Sequence, residues 1–228
     1  MDDKLVKESL AELIGTFTLV FVGGMAVVVA PLFGVVVPAL AHGLILVGII
    51  AVFGHISGAF VNPAVTLAVL VTGKIEAPKA LAFIVMQFLG GTIAALFITT
   101  LIPNEVRSSM LNGQFNYGAT TGSLTNDFVW RAAIFEAIMT FFLASAVIQA
   151  AVFGKAGNLA PVAIGLTLAG AIFAGGAFTG GSLNPARTLG PAVFADNLDY
   201  VIPYFIGIFG GGALAGALHG YFFNPAES

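Results

Sequence analysis

Residues 58–67 read Gly58-Ala59-Phe60-Val61-Asn62-Pro63-Ala64-Val65-Thr66-Leu67, and residues 180–189 read Gly180-Gly181-Ser182-Leu183-Asn184-Pro185-Ala186-Arg187-Thr188-Leu189. The two stretches lie 122 residues apart. A second pair, Glu12-Leu13-Ile14-Gly15-Thr16-Phe17 and Glu136-Ala137-Ile138-Met139-Thr140-Phe141, lies 124 residues apart. Two independent matches at nearly one offset indicate a duplicated unit. Asn is a favoured helix N-cap and Pro a favoured first helical residue, so each Asn-Pro-Ala reads as a helix start. The apolar segments that follow, 62–72 and 184–195, are too short to cross a bilayer. At about 1.5 Å per residue each reaches roughly 16 Å, half of a hydrocarbon core of about 30 Å. They are expected to be half-helices.

The rest of the chain supplies full spans. Of 228 residues, 58% are hydrophobic and 8% charged, and the mean hydropathy is +1.02. Soluble domains carry about 25% charged residues. This chain has too few charges to cover a water-facing surface. Eight Lys plus Arg, a net charge of −3 and no basic run exclude nucleic acid as a partner. The absence of Cys removes disulfides, thiolate metal sites and cysteine nucleophiles. Apolar segments at 10–30, 39–56, 80–102, 129–153, 159–177 and 200–223 predict six transmembrane helices. The first of them continues past Val29, too long for a cleavable signal. The fold expected is all-α: six spans plus two re-entrant half-helices in one channel domain over 1–228. The repeats cover about 8–101 and 129–223, joined by the polar loop 102–128. Asn104, Glu105, Arg107, Asn112, Asn116 and Asp127 lie in that loop.

Three spans per unit is an odd number, so the second unit enters the membrane from the opposite side and the halves are inverted. Lys4, Lys7, Lys74, Lys79 and Lys155 fall on one side and Arg107 and Arg131 on the other. The positive-inside rule then puts both termini in the cytoplasm, and the cell (plasma) membrane is the expected location.

Inversion aims the two half-helix N-termini at each other near the bilayer centre. Irregular backbone is tolerated there only when buried in protein or lining a wet cavity. An aqueous path is therefore expected beside Gly58, Ala59, Phe60, Val61 and Gly180, Gly181, Ser182, whose carbonyls would offer a ladder of acceptors. The amides of Asn62 and Asn184 would donate into the path. The facing helix N-termini would oppose cations and migrating protons. Arg187 is an intramembrane charge, hence a functional candidate in preference to an interfacial, snorkelling arginine. Glu12 and Glu136 admit two readings, relay carboxylates or acceptors that hold each half's own loop, and their matched positions favour the second. His55 is expected to be a buried loop clamp. His219 reads as packing or interface. Gly90, Gly91, Ala95 and Gly211, Gly212, Gly216 read as close helix contacts. His42, His55 and His219 lack metal-ligand spacing, and no nucleophile, base and orienter set occurs, so neither cofactor, metal nor enzyme activity is expected.

Over nearly its whole length the sequence resembles the aquaporin and major intrinsic protein family. The resemblance rests on Ala11-Glu12 with Gly15-Thr16, Gly54-His55-Ile56-Ser57-Gly58, Asn62-Pro63-Ala64-Val65-Thr66 and Asn184-Pro185-Ala186-Arg187. It implies one pore per chain for water and small neutral solutes, a lipid bilayer as surroundings, and a homotetramer. It also implies a four-residue selectivity filter, which counting from the motifs carries onto His42, Ile172, Gly181 and Arg187. Strictly water-selective members usually have Phe where His42 stands and His where Ile172 stands. Glycerol facilitators usually place Asp after the arginine, where this chain has Thr188. The set His, Ile, Gly, Arg looks like that of plant vacuolar members associated with water and ammonia. A facilitator of glycerol or urea is the alternative, and a secondary transporter of inverted-repeat design a more distant one. A junction or adhesion protein is the third class, and only loop 103–127 approaches the length it would need.

Overall fold

The computed structural model describes residues 3–110 and 115–224. Asn112, in the polar loop, lies outside the described residues. Among the described residues six helices are long and apolar enough to cross a membrane: α1 (Asp3–Val28), α2 (Val36–Ser57), α4 (Ala77–Leu101), α5 (Val129–Val152), α6 (Gly157–Thr179) and α8 (Val201–Phe223). Between them run the half-helices α3 (Pro63–Val71) and α7 (Pro185–Phe194). The protein is thus an integral, multi-pass, all-helical membrane protein.

Both half-helices start as N-cap chemistry dictates. Asn62 (φ −159°, ψ 117°) and Asn184 (φ −150°, ψ 115°) are extended, and Pro occupies the first helical position. Asn62 Oδ1 accepts from Ala64 N at 2.9 Å, and Asn184 Oδ1 from Ala186 N at 3.0 Å. Those bonds satisfy amides that would otherwise be bare inside the membrane.

The packing repeats about a two-fold axis. Helix α1 lies on α2 and α4, as α5 lies on α6 and α8, and α2 meets α6 across the centre. Each half-helix packs on the last span of the other half, α3 on α8 and α7 on α4. Glycine makes the approach possible. A methyl group on Gly91 would stand 2.6 Å from the Ala186 carbonyl oxygen, and one on Gly212 would stand 2.6 Å from that of Ala64. Those are overlaps with backbone, which cannot move aside.

With six spans, the start of α1 and the end of α8 lie on one membrane face, here called the terminal face. Glu8 and Lys79, at the starts of α1 and α4, form an ion pair of 2.7 Å there. Residues 102–110 and 115–128 lie on the opposite, loop face. His219 packs near the end of α8 between Phe141 and Phe223, with Nδ1 2.7 Å from Gln149 Nε2.

Candidate functional site

The loops entering the two half-helices have the same backbone shape. Gly58, Ala59 and Val61 take φ of 97°, 50° and 43°, and their repeat partners Gly180, Gly181 and Leu183 take 87°, 59° and 53°. A left-handed β-branched Val is strained by about 1–3 kcal/mol and persists only when its surroundings over-determine it.

Glu12 and Glu136 supply that constraint. Glu12 Oε1 accepts from Ser57 Oγ (2.6 Å) and Phe60 N (3.0 Å), and Oε2 from Val61 N (2.7 Å). Glu136 Oε1 accepts from Thr179 Oγ1 (2.6 Å) and Ser182 N (2.9 Å), and Oε2 from Leu183 N (2.7 Å). Gln87 also donates to Glu12 Oε2 at 2.8 Å and reaches Thr66, joining loop and half-helix. Both carboxylates are fully buried.

His55 does not share this task. It is exposed, lines the cavity on the terminal face, and carries no hydrogen bond to the loop. Ser57 supplies the polar tie instead, being the residue at which the α2 helix turns the chain inward.

The halves are then cross-linked. Asn62 Nδ2 donates to Leu183 O at 2.8 Å, and Asn184 Nδ2 donates to Val61 O at 2.9 Å. Each Asn thereby uses one amide hydrogen to hold the strained carbonyl of the other half and keeps one hydrogen. The Val61 carbonyl thus spends one lone pair on this lock and keeps the other, and Val61 lines the central lumen.

A narrow central lumen runs past these asparagines. Its walls include Leu19, Leu46, Leu143, Val147, Ile164 and Leu168, together with Gly58, Ala59, Phe60, Val61 and Ser182 of the two entry loops. Polar groups reach it from Asn62, Asn184, His42 and Arg187. Gly180 stands elsewhere. It lines a cavity on the loop face, together with Ile172, Asn116 and Thr121. A third cavity opens on the terminal face.

Arg187 is 1% exposed, in the first turn of α7. Its Nε donates to His42 Nε2 at 3.1 Å, and its Nη1 to Gly118 O at 2.5 Å. Its Nη2 has no partner among the described residues. His42 Nδ1 stands 2.7 Å from Pro38 O. A carbonyl can only accept, so Nδ1 carries the hydrogen and Nε2 is the lone-pair nitrogen that receives Arg187. His42 therefore sits as the neutral Nδ1–H tautomer. Gly23 leaves room for its ring, with which a methyl group there would collide. Ile172 meets Gly181, where an added methyl would stand 3.2 Å from its Cγ1. The structure pairs His42 with Arg187 at the lumen and Ile172 with Gly181, Ile172 lining the loop-face cavity.

Sequence reasoning missed Gly118, Gln87, Thr179 and Leu183. Loop residues 115–128 fold back over the mouth. Ser123 N and Leu124 N donate to Ala177 O (3.1 Å) and Phe178 O (2.9 Å), and Tyr204 OH donates to Thr179 O (2.8 Å). That docking delivers the Gly118 carbonyl to Arg187.

A model of the family "Major intrinsic protein" matches residues 2–219. The chain belongs to the major intrinsic protein family. It is 37% identical over 236 residues to "Aquaporin TIP1-2" of Musa acuminata, covering 97% of this chain and 88% of that protein. It is 36% identical over 218 residues to "Aquaporin-8" of Mus musculus, covering 95% and 82%. Among solved structures it matches the aquaglyceroporin of Plasmodium falciparum with a TM-score of 0.75, 21% identity, and coverage of 97% of this chain and 98% of that one. That likeness concerns the fold. As a member of a family of passive channels, this major intrinsic protein is no enzyme.

Proposed function

We propose that the chain is a passive channel for water, and for ammonia, that excludes protons and ions. The observation carrying this is the meeting of α3 and α7. Two helix N-termini face one narrow lumen, and Asn62 and Asn184 each keep an amide hydrogen beside it. A water molecule accepting from both asparagines has its oxygen fixed and its hydrogens directed outward. It cannot accept from the neighbouring waters at the same moment, which interrupts a proton relay. The half-helix dipoles repel a cation at the same place.

His42, Ile172, Gly181 and Arg187 form the proposed filter. Arg187 Nη2, left without a protein partner, donates to the passing solute. Its cationic charge adds to the barrier against ammonium, whereas neutral ammonia can accept from the same N–H. Ile172 gives an apolar wall and Gly181 adds width, which suits a small neutral solute less demanding than water in its hydrogen bonds. The relatives named aquaporin support the water reading.

We also propose that both termini are cytoplasmic, that the channel lies in the cell membrane, and that it assembles as a homotetramer. The TIP relatives make an internal, vacuole-type membrane the competing outcome of a fractionation experiment. Chemical cross-linking in membranes reads the assembly state.

The deciding experiment is a proteoliposome panel. Osmotic shrinkage well above that of empty liposomes, with low activation energy, is expected for water, and lipid-like rates would overturn the reading. A pH jump with ammonia should give uptake above empty vesicles, and equality would remove ammonia. Glycerol and urea in the same panel test the facilitator alternative. Uptake driven by a proton or sodium gradient would favour a transporter.

A further inference from the structure

The central lumen and the terminal-face cavity share four lining residues: Ile50, Gly58, Phe60 and Ala151. These residues therefore stand at the junction of the two spaces. Gly58 contributes backbone alone, and the other three side chains are apolar. The junction is a neck without a hydrogen-bonding side chain, unlike the loop-face end, where His42 and Arg187 meet.

Phe60 is the bulkiest member and its position is fixed from several sides. Its N–H is held by Glu12 Oε1 at 3.0 Å. Its ring lies across Gly58, where an added methyl group would come within 2.9 Å of it. It also packs edge-on to Phe83, with centroids 6.1 Å apart. The repeat makes the choice of residue informative. Ser182 occupies the matching position in the second half, and its hydroxyl is turned aside to Thr188 Oγ1 (2.5 Å) and Asn184 O (3.0 Å). The backbone shape shared by the two loops therefore does not require an aromatic ring here. The ring is a feature of the terminal-face half alone.

We propose that Phe60, with Ile50 and Ala151, forms a second, apolar constriction that sets the size limit for uncharged solutes. It rests on the reading of the lumen as a conducting pore. Water in the neck finds partners only in the waters above and below and in the Gly58 carbonyl region. A larger polyol must shed its hydrogen bonds there against an apolar wall, and it is excluded both by width and by loss of partners.

The test uses the full chain in proteoliposomes, with stopped-flow measurement of water and glycerol permeability per reconstituted channel. Phe60→Ala is expected to raise glycerol permeability by about tenfold, the lower end of what a small size change in an apolar site discriminates. Water permeability should stay well above that of empty liposomes. Phe60→Leu should give a smaller rise. Ala151→Leu, which narrows the same neck, should lower water permeability severalfold. A loss of packing alone would lower every flux, so a gain in glycerol flux is specific to the constriction. Wild-type glycerol permeability in Phe60→Ala, beside wild-type water flux above empty vesicles, overturns the constriction and leaves the pore intact. Absence of water flux in the wild type itself overturns both. If Phe60→Ala does not fold, Phe60→Leu decides alone, and an unchanged glycerol permeability there overturns the constriction.

Discussion

Replacing Glu136 should separate the two tasks of the loop at 180–184, folding and conduction. Glu136→Ala deletes three hydrogen bonds, to Thr179 Oγ1, Ser182 N and Leu183 N. The Thr179 hydroxyl falls back on Gly175 O, already 3.4 Å away. The two amides have no such alternative. A buried donor left bare costs about 1–3 kcal/mol, so the pair costs roughly 2–6 kcal/mol. Removing a buried carboxylate returns part of its desolvation penalty, which places the net effect in the lower half of that range. Glu136→Gln keeps one oxygen, enough for Thr179 and Ser182, but turns an NH₂ toward Leu183 N–H. It should cost about as much as one hydrogen bond to a charged group, roughly 1.5–3 kcal/mol. A chain of this size loses about 2–4 °C per kcal/mol. Heating the purified protein in detergent and following loss of the monodisperse species should show a fall of roughly 4–16 °C for Ala and roughly 3–12 °C for Gln. Conduction should suffer further, because Leu183 O is the acceptor that holds Asn62. Surviving Glu136→Ala channels should conduct water more slowly, or leak protons, in stopped-flow assays. Wild-type thermal stability together with wild-type flux and proton tightness would refute this account of the carboxylate.

Two further outcomes follow from the same contacts. Arg187→Val removes the lumen-facing cation and both fixed donors, to His42 and Gly118. It should admit protons, read as dissipation of an imposed pH gradient in liposomes, and a gradient as long-lived as with wild type would count against the electrostatic barrier. Gly212→Val sets a side chain against the Ala64 carbonyl, 2.6 Å from its first carbon. Overpacking against backbone costs about 1–3 kcal/mol or more, so poor yield of folded, membrane-inserted protein is expected, and normal yield with normal flux would mean that α3 and α8 approach less closely than described.

Much of this architecture is legible in the chain. Continuous apolar runs leave no other solvent than lipid, and Asn-Pro at the head of an 11-residue apolar segment leaves little choice but a capped half-helix. The conformations of the entry loops are not legible. Nothing in Val61 or Leu183 announces a left-handed backbone, and the β-branched Val61 argues against it. Only the three-dimensional meeting of Glu12 with residues 57–61 enforces it. Gly118 escapes for another reason, because what it offers is a backbone carbonyl that every residue carries. His55 misleads because sequence gives its distance to Asn62 but not the face of α2 on which it falls, and Ser57 two residues later reaches Glu12 instead.

The cross-bonds also predict that neither inverted unit would make a pore by itself. Val61 is strained in the first half, yet its carbonyl is held by Asn184 of the second, and Leu183 is held by Asn62 in return. The half-helices repeat the exchange, each resting on glycines of the other half's last span. Strain in each loop is thus relieved by its own carboxylate and fixed by the opposite asparagine. An isolated unit would keep the strained loop, lose the acceptor for its asparagine amide, and expose one flank of its half-helix to lipid with a polar N-terminus at mid-membrane. Such a fragment has no stable arrangement inside a bilayer, where unpaired backbone groups cost several kcal/mol each. The lumen therefore forms only when both halves are folded together, and the geometry that orients a permeating water is the same geometry that closes the fold.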